Sequence, residues 1–131
     1  MRGEHLVSKT VELRKVITSE LSKYGTTYYK KADKKSKFPY IVYSLENVDF
    51  NTYPRNDIEL TIDIWDRNKS SYDIEALADN VEKAFNRLNK PTSKILPTFY
   101  VTSKKDVGDE DEIIERRQIK VIIQCYEIEE E

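Results

Sequence analysis

Apolar side chains return at helical spacing near the start of the chain, where Leu6, Val7, Val11, Leu13, Val16, Ile17, Leu21 and Tyr24 are separated by Ser, Lys, Glu and Arg. The spacing predicts a first helix over residues 6–24, closed by Gly25, a residue able to take the left-handed conformation past a helix end. Residues 26–30 have strand propensity and lead into an exposed lysine-rich loop. Pro39 opens a second strand over 40–45, with Ile41, Tyr43 and Leu45 on one face and Tyr40, Val42 and Ser44 on the other. Polar and turn-forming residues make 46–56 a wide hairpin connection. The clearest strand follows, because Ile58, Leu60, Ile62 and Ile64 alternate with Glu59, Thr61, Asp63 and Trp65.

Residues 66–71 break that alternation and supply cap oxygens, Asp66 among them, with Asp73 in the first turn of the next helix. Ile74, Leu77, Ala78, Val81, Ala84, Phe85 and Leu88 carry this second helix to about Asn89. Pro91 and Pro97 bracket a loop, 98–102 reads as a strand, and an acidic tip at 106–112 leads into a last strand over 113–128. The order α-β-β-β-α-β-β predicts an α+β fold. It is a two-layer sandwich, a mainly antiparallel sheet of about five strands covered on one face by two helices. One domain is expected over 1–131, with 129–131 frayed. The helix-free face would carry some of Tyr40, Val42, Trp65, Ile122, Tyr126 and Ile128, too apolar for a wet surface, which points to a partner or a neighbouring subunit.

Composition removes whole classes of function. With 38% apolar and 11% aromatic residues and a net charge of −2, the 131 residues are not those of a disordered polyelectrolyte. No apolar run approaches the ~20 residues of a spanning helix, and the first residues lack a secretory pattern, so a cytoplasmic protein with no membrane partner is expected. One cysteine allows no internal disulfide, and one histidine gives no nitrogen-rich metal set. His5 precedes the first helix while Cys125 sits mid-strand on an apolar face, an arrangement that suits packing rather than nucleophilic chemistry. Three glycines cannot form a phosphate-cradling loop. The carboxylates at Asp63, Asp66 and 106–115 read as a cap and a solvated tip rather than an acid–base or cation site. No catalytic residue, cofactor or metal is expected.

The small net charge hides a separation. Lys30, Lys31, Lys34, Lys35 and Lys37 stand against Asp33 alone, whereas Asp106, Asp109, Glu110, Asp111 and Glu112 form an acidic run. These ten are the candidate contacts to a partner or a second subunit, since opposed loops would fix neighbours head to tail. An alternative function is nucleic-acid binding, with the lysines on phosphates and Tyr28, Tyr29, Phe38 and Tyr40 stacking on bases. The acidic balance and the absence of arginine in the loop disfavour sequence-specific DNA recognition.

Three segments carry a resemblance. Phe38-Pro39-Tyr40-Ile41-Val42-Tyr43-Ser44-Leu45, then Asp57-Ile58-Glu59-Leu60-Thr61-Ile62-Asp63-Ile64-Trp65-Asp66, then Ser71-Tyr72-Asp73-Ile74-Glu75-Ala76-Leu77-Ala78-Asp79 resemble, in that order, the tail-completion proteins of long-tailed bacteriophages. The resemblance spans about two-thirds of the chain and includes no catalytic signature. It implies a non-enzymatic tail terminator or head-to-tail joining subunit of a phage or prophage. Such a subunit would form a hexameric ring that caps the tail tube protein and meets the head connector protein, assembled in the bacterial cytoplasm and retained at the head–tail interface of the virion. The 46–56 connection and the lysine-rich loop depart from the family pattern.

Overall fold

The computed structural model describes residues 8–49, 55–67, 71–108, 111 and 113–128. Its elements run α1 (Lys9–Leu21), β1 (Thr26–Tyr29), β2 (Tyr40–Asp49), β3 (Arg55–Arg67), α2 (Tyr72–Phe85), β4 (Leu88–Asn89), β5 (Ile95–Asp106) and β6 (Ile114–Glu127). The fold is α+β, as the pattern predicts, with six strands in the order β1-β2-β3-β6-β5-β4 rather than about five. The sheet is mixed and curled into a half-barrel. β1 lies parallel to β2 and every other pair is antiparallel.

The expected alternation of β3 is complete. Ile58, Leu60, Ile62 and Ile64 are buried, as are Asn56 and Asp66 at its ends, while the residues between them are half-buried on the other face. β3 is central, so its inward side chains meet Ile41 and Tyr43 of β2 on one side and Ile119, Val121 and Ile123 of β6 on the other. Both helices cover this one face. α1 buries Leu13, Ile17 and Leu21, and α2 buries Ile74, Ala78, Val81 and Phe85, all in a single cluster with the strands. The Tyr43 hydroxyl is buried without loss because it donates to the Arg14 carbonyl at 3.2 Å and shares a 2.8 Å hydrogen bond with Thr18 Oγ1. Phe85 meets Phe99 edge-on at 5.5 Å, which seats α2 on β5.

Several boundaries differ from expectation for identifiable reasons. α1 is capped by Ser8, whose Oγ accepts from the Val11 amide at 3.2 Å, and Val11 is exposed rather than part of the stripe. α1 ends at Leu21, and Gly25 is not left-handed; among the described residues the left-handed ones are Lys30 (φ 70°) and Arg87 (φ 65°). β2 runs on through Glu46 to Asp49, because pairing with β3 continues past Leu45, with a bulge between Asn47 and Asp49. α2 stops at Phe85, four residues short of Asn89: the left-handed turn at Arg87 redirects the chain, and Leu88–Asn89 pair with β5 as a sixth strand. Pro97 lies inside β5 rather than bracketing a loop. In a strand the N–H and C=O of one residue point to the same side, and the Pro97 carbonyl points away from β6 to accept from the Lys90 amide at 3.2 Å, so the missing N–H takes no bond from the β5–β6 ladder. Asp66 caps no helix; it is buried at the end of β3 and accepts from the Arg67 amide at 2.7 Å, while Ser71 is the N-cap of α2. His5 and residues 129–131 lie outside the described residues.

Glu20 ties α1 to the segment after β4. It is buried in α1, with Lys23 at 3.0 Å and Lys90 at 3.1 Å. Burial pushes its carboxyl up, but the two ammonium groups outweigh burial and hold it below the ordinary 4.5. A lowered folded value means that this contribution is complete above about pH 4.5 and is lost as pH falls through the folded pKa. Glu20→Gln is therefore expected to cost about 1 kcal/mol in urea denaturation at pH 7, with the difference from wild type vanishing in acid; an equal difference at both pH values would refute the assignment.

Candidate functional site

The helix-free face of the sheet reads across the strands as rows. At its upper end, where β1, β2 and β6 begin and β3 and β5 finish, Tyr40, Trp65 and Arg116 stand side by side. The Tyr40 and Trp65 rings stack with centroids 6.3 Å apart and planes 21° apart, and the Arg116 guanidinium carbon lies 4.7 Å from the Trp65 centroid. In the next row Asp63 accepts from Arg116 Nε at 3.1 Å and from Gln118 Nε2 at 3.1 Å. Lower down, Lys120 pairs with Glu59 at 3.5 Å. The lower corner is apolar, with Ile122 opposite Tyr100 and Tyr126 opposite Leu96. Leu96, Tyr100 and Tyr126 remain about two-fifths exposed (42%, 40% and 42%), and Ile128 is 40% exposed.

The expectation of an apolar outer face is thus met in part and relocated. Tyr40 and Trp65 stack on each other and Arg116 lies over Trp65, while exposure falls on Tyr126 and Ile128 together with Leu96 and Tyr100. Leu96 was missed because the start of β5 reads as loop between prolines, and Tyr100, inside the expected strand 98–102, was not assigned to the outer face.

The lysine loop begins with the left-handed Lys30, whose amide donates to the Tyr43 carbonyl at 2.8 Å and turns the chain out of β1. Asp33 then organises the turn by accepting from the Lys35 amide at 3.0 Å through Oδ1. Lys30, Lys31, Lys34, Lys35 and Lys37 are all exposed and make no ion pair among the described residues. Lys30 and Lys31 border a depression of about 300 Å³ on the outer face, whose floor is Tyr40, Val42, Asp63, Trp65 and Arg116. The four aromatics expected to stack on bases are engaged inside the protein. Tyr28 meets Tyr40 edge-on at 6.2 Å, Phe38 packs on Tyr40 at 5.2 Å, and Tyr29 lies between Tyr43 at 5.2 Å and the Arg14 guanidinium at 3.9 Å.

The acidic run divides in two. Asp106 is the last residue of β5 and Glu115 lies in β6, and with Glu75 of α2 they surround the guanidinium of Arg117. Arg117 Nη1 is 3.0 Å from Asp106 and Nη2 is 3.3 Å from Glu115. Burial opposes the Arg117 cation, but hydrogen bonds and charge from the three carboxylates outweigh it and raise its pKa. The run contains no base, and the base that satisfies it follows two residues beyond Glu115. Lys104 adds a second link from β5 to α2 through Asp79 and Glu82. The Lys104 ammonium holds the Asp79 carboxyl below its ordinary value. Asp111 is exposed at the tip and accepts from the Ile113 amide at 3.1 Å. Asp109, Glu110 and Glu112 lie outside the described residues.

Cys125 is fully buried and burial pushes its thiol up to about 11, far from the thiolate a nucleophile needs. Among the described residues no three His, Cys, Asp or Glu side chains converge to hold a metal ion. No described helix is long and apolar enough to cross a membrane.

No protein-family model matches the chain, and no curated protein matches it by sequence. A solved chain from the virion of a native gene transfer agent particle has a similar fold, with a TM-score of 0.62 at 13% identity, covering 86% of this chain and 85% of that one.

The Arg117 cluster is the strongest polar link between hairpin and helix. Arg117→Met leaves three carboxylates facing one another, and the expected loss is about 2 kcal/mol in urea denaturation, below the usual cost of a broken buried pair because Glu75 and Asp106 are more than half exposed. A loss under about 0.5 kcal/mol, the range of an ordinary surface substitution, would refute it.

Proposed function

We propose that this chain is a non-enzymatic structural protein of a phage or prophage virion, a tail terminator or head-to-tail joining subunit. Copies close into a ring, with six the expected number, that sits on the tail tube and meets the head connector. Assembly takes place in the host bacterial cytoplasm and the finished ring stays at the head–tail interface.

The observation that carries this reading is the similar fold, end to end, in a chain of a gene transfer agent virion. Because both chains are covered to almost the same extent, the likeness concerns a whole α+β body rather than a shared motif. The surfaces agree with it. A ring subunit requires a rigid body and separate contact regions, and here two helices lock one sheet face while the other carries a basic corner and an exposed apolar corner.

The test is deletion of the gene from the cell that encodes the chain, followed by gradient purification of the particles released. Filled heads and finished tails that fail to join are expected. In wild-type particles, quantitative mass spectrometry is expected to find the chain at the copy number of one ring. Joined particles formed without the gene, or wild-type particles lacking the chain, would overturn the proposal.

A further inference from the structure

We propose that the upper end of the helix-free face is a site for the phosphate backbone of duplex DNA, bound without regard to sequence. This goes beyond the ring reading and does not depend on it. Three observations lead to it.

The first is a band of cations that no single segment contains. Lys105 pairs with Gln118 and lies with it on the outer face, while Lys104 beside it turns to α2. Arg67 extends β3 one row beyond Trp65 on the same face. With Arg116 between them, and Lys30 and Lys31 at the rim of the depression, the cations run from the lysine loop across β3 and β6 to β5. Lys30, Lys31, Arg67 and Lys105 are exposed and make no ion pair among the described residues. The strands β2, β3, β6 and β5 alone span about 14 Å at the usual spacing. Duplex DNA carries one charge per about 1.7 Å of its axis, so a band of this length faces several phosphates rather than one small anion.

The second is that the carboxylates described at this end already have partners. Asp63 accepts from Arg116 and Gln118, Asp106 and Glu115 face Arg117, and Asp33 and Asp111 accept from the Lys35 and Ile113 amides. The lysine loop is also held at both ends. The Lys30 amide donates to the Tyr43 carbonyl at 2.8 Å, the Ser36 amide donates to the Asp33 carbonyl at 3.0 Å, and Phe38 packs on Tyr40. A loop ordered in advance loses little freedom on binding.

The third decides the occupant. Protein–protein contacts centre on apolar and aromatic side chains and are depleted in lysine, and on this face the exposed apolar side chains gather at the opposite, lower corner around Tyr126. Single strands are gripped by stacking bases on open rings. Here Tyr40 stacks on Trp65, Arg116 lies over Trp65, and Tyr28 and Phe38 pack on Tyr40. A surface of charge whose rings are engaged with one another suits the outside of a duplex, whose phosphates position a protein without revealing sequence.

The experiment is fluorescence anisotropy of two labelled duplexes of unrelated sequence, about 30 base pairs each, titrated with the full chain at about 50 and 200 mM salt. Equal affinity for the two is expected, and five phosphate contacts would lower it about 500-fold between those salt concentrations. A loop variant (Lys31→Glu and Lys34→Glu) and a band variant (Arg67→Glu and Lys105→Glu) are each expected to bind at least about tenfold more weakly, with a salt dependence smaller by about two contacts. The same charge change on the helix side, Lys15→Glu with Lys83→Glu, is expected to leave affinity within about twofold of wild type. Circular dichroism first confirms that each variant is folded.

A wild type that binds neither duplex at the lower salt, a band variant that binds like wild type, or a helix-side variant as weak as the other two would overturn the proposal. Tighter binding to one of the separated strands would overturn it in favour of single-stranded nucleic acid. Binding to poly-glutamate but not to DNA, lost in the loop variant, would overturn it in favour of an acidic protein partner. Each of these results leaves the ring reading standing on its particle test.

Discussion

One constraint organises the protein: β3 is paired on both sides along its length, and its side chains can face the helices in only one register. Ile58, Leu60, Ile62 and Ile64 are within 3% of complete burial. A slip of one residue would exchange them for Glu59, Thr61, Asp63 and Trp65, burying two carboxylates against α1 and α2 and exposing four large aliphatic side chains. Each buried aliphatic contributes roughly 1.5–3 kcal/mol, so the penalty far exceeds anything a surface contact could recover. Register on β3 then fixes β2 and β6 through their ladders, and β6 fixes β5.

The outer face inherits its pattern from that choice. Every second residue of four strands is turned away from the core, and their rows form the Trp65 corner, the Asp63 ladder and the apolar corner around Tyr126. The clamps at Arg117 and Lys104 fasten the far hairpin to α2, so the surface beside it moves with the body. The body therefore presents fixed, distinct surfaces on its two sides, which is what the proposed ring would require of each copy.

The sequence was most legible where burial alone decides structure. The alternation of β3 and the stripe of α2 are strong because each meets a single apolar partner surface, and the α+β class follows from them. Legibility failed where pairing or local geometry overrode composition. Glu46 and Asn47 are strand residues because β3 offers them partners, and Leu88 is a strand residue because Arg87 turns left-handed. Pro97 marks no loop, since its backbone polar groups point away from β6 and the missing N–H takes no bond from that ladder. The lysine loop was legible as charge, and the structure adds that its lysines make no ion pairs among the described residues. The acidic run was only half legible. Asp106 and Glu115 are ion-pair partners of Arg117, a contact between β5, β6 and α2 that linear spacing cannot reveal. Likewise, the stacking of Tyr40, Trp65 and Arg116 depends on cross-strand register, which no single segment contains.

The proposed role, in which copies of this fold meet at a virion's head–tail junction, is tested most directly by imaging that junction. A cryo-electron microscopy reconstruction of the particles, centred on the junction, is predicted to contain one ring of this six-stranded, two-helix body, each copy in contact with its neighbours. A junction built without this fold, or one in which its copies do not touch, would contradict the account.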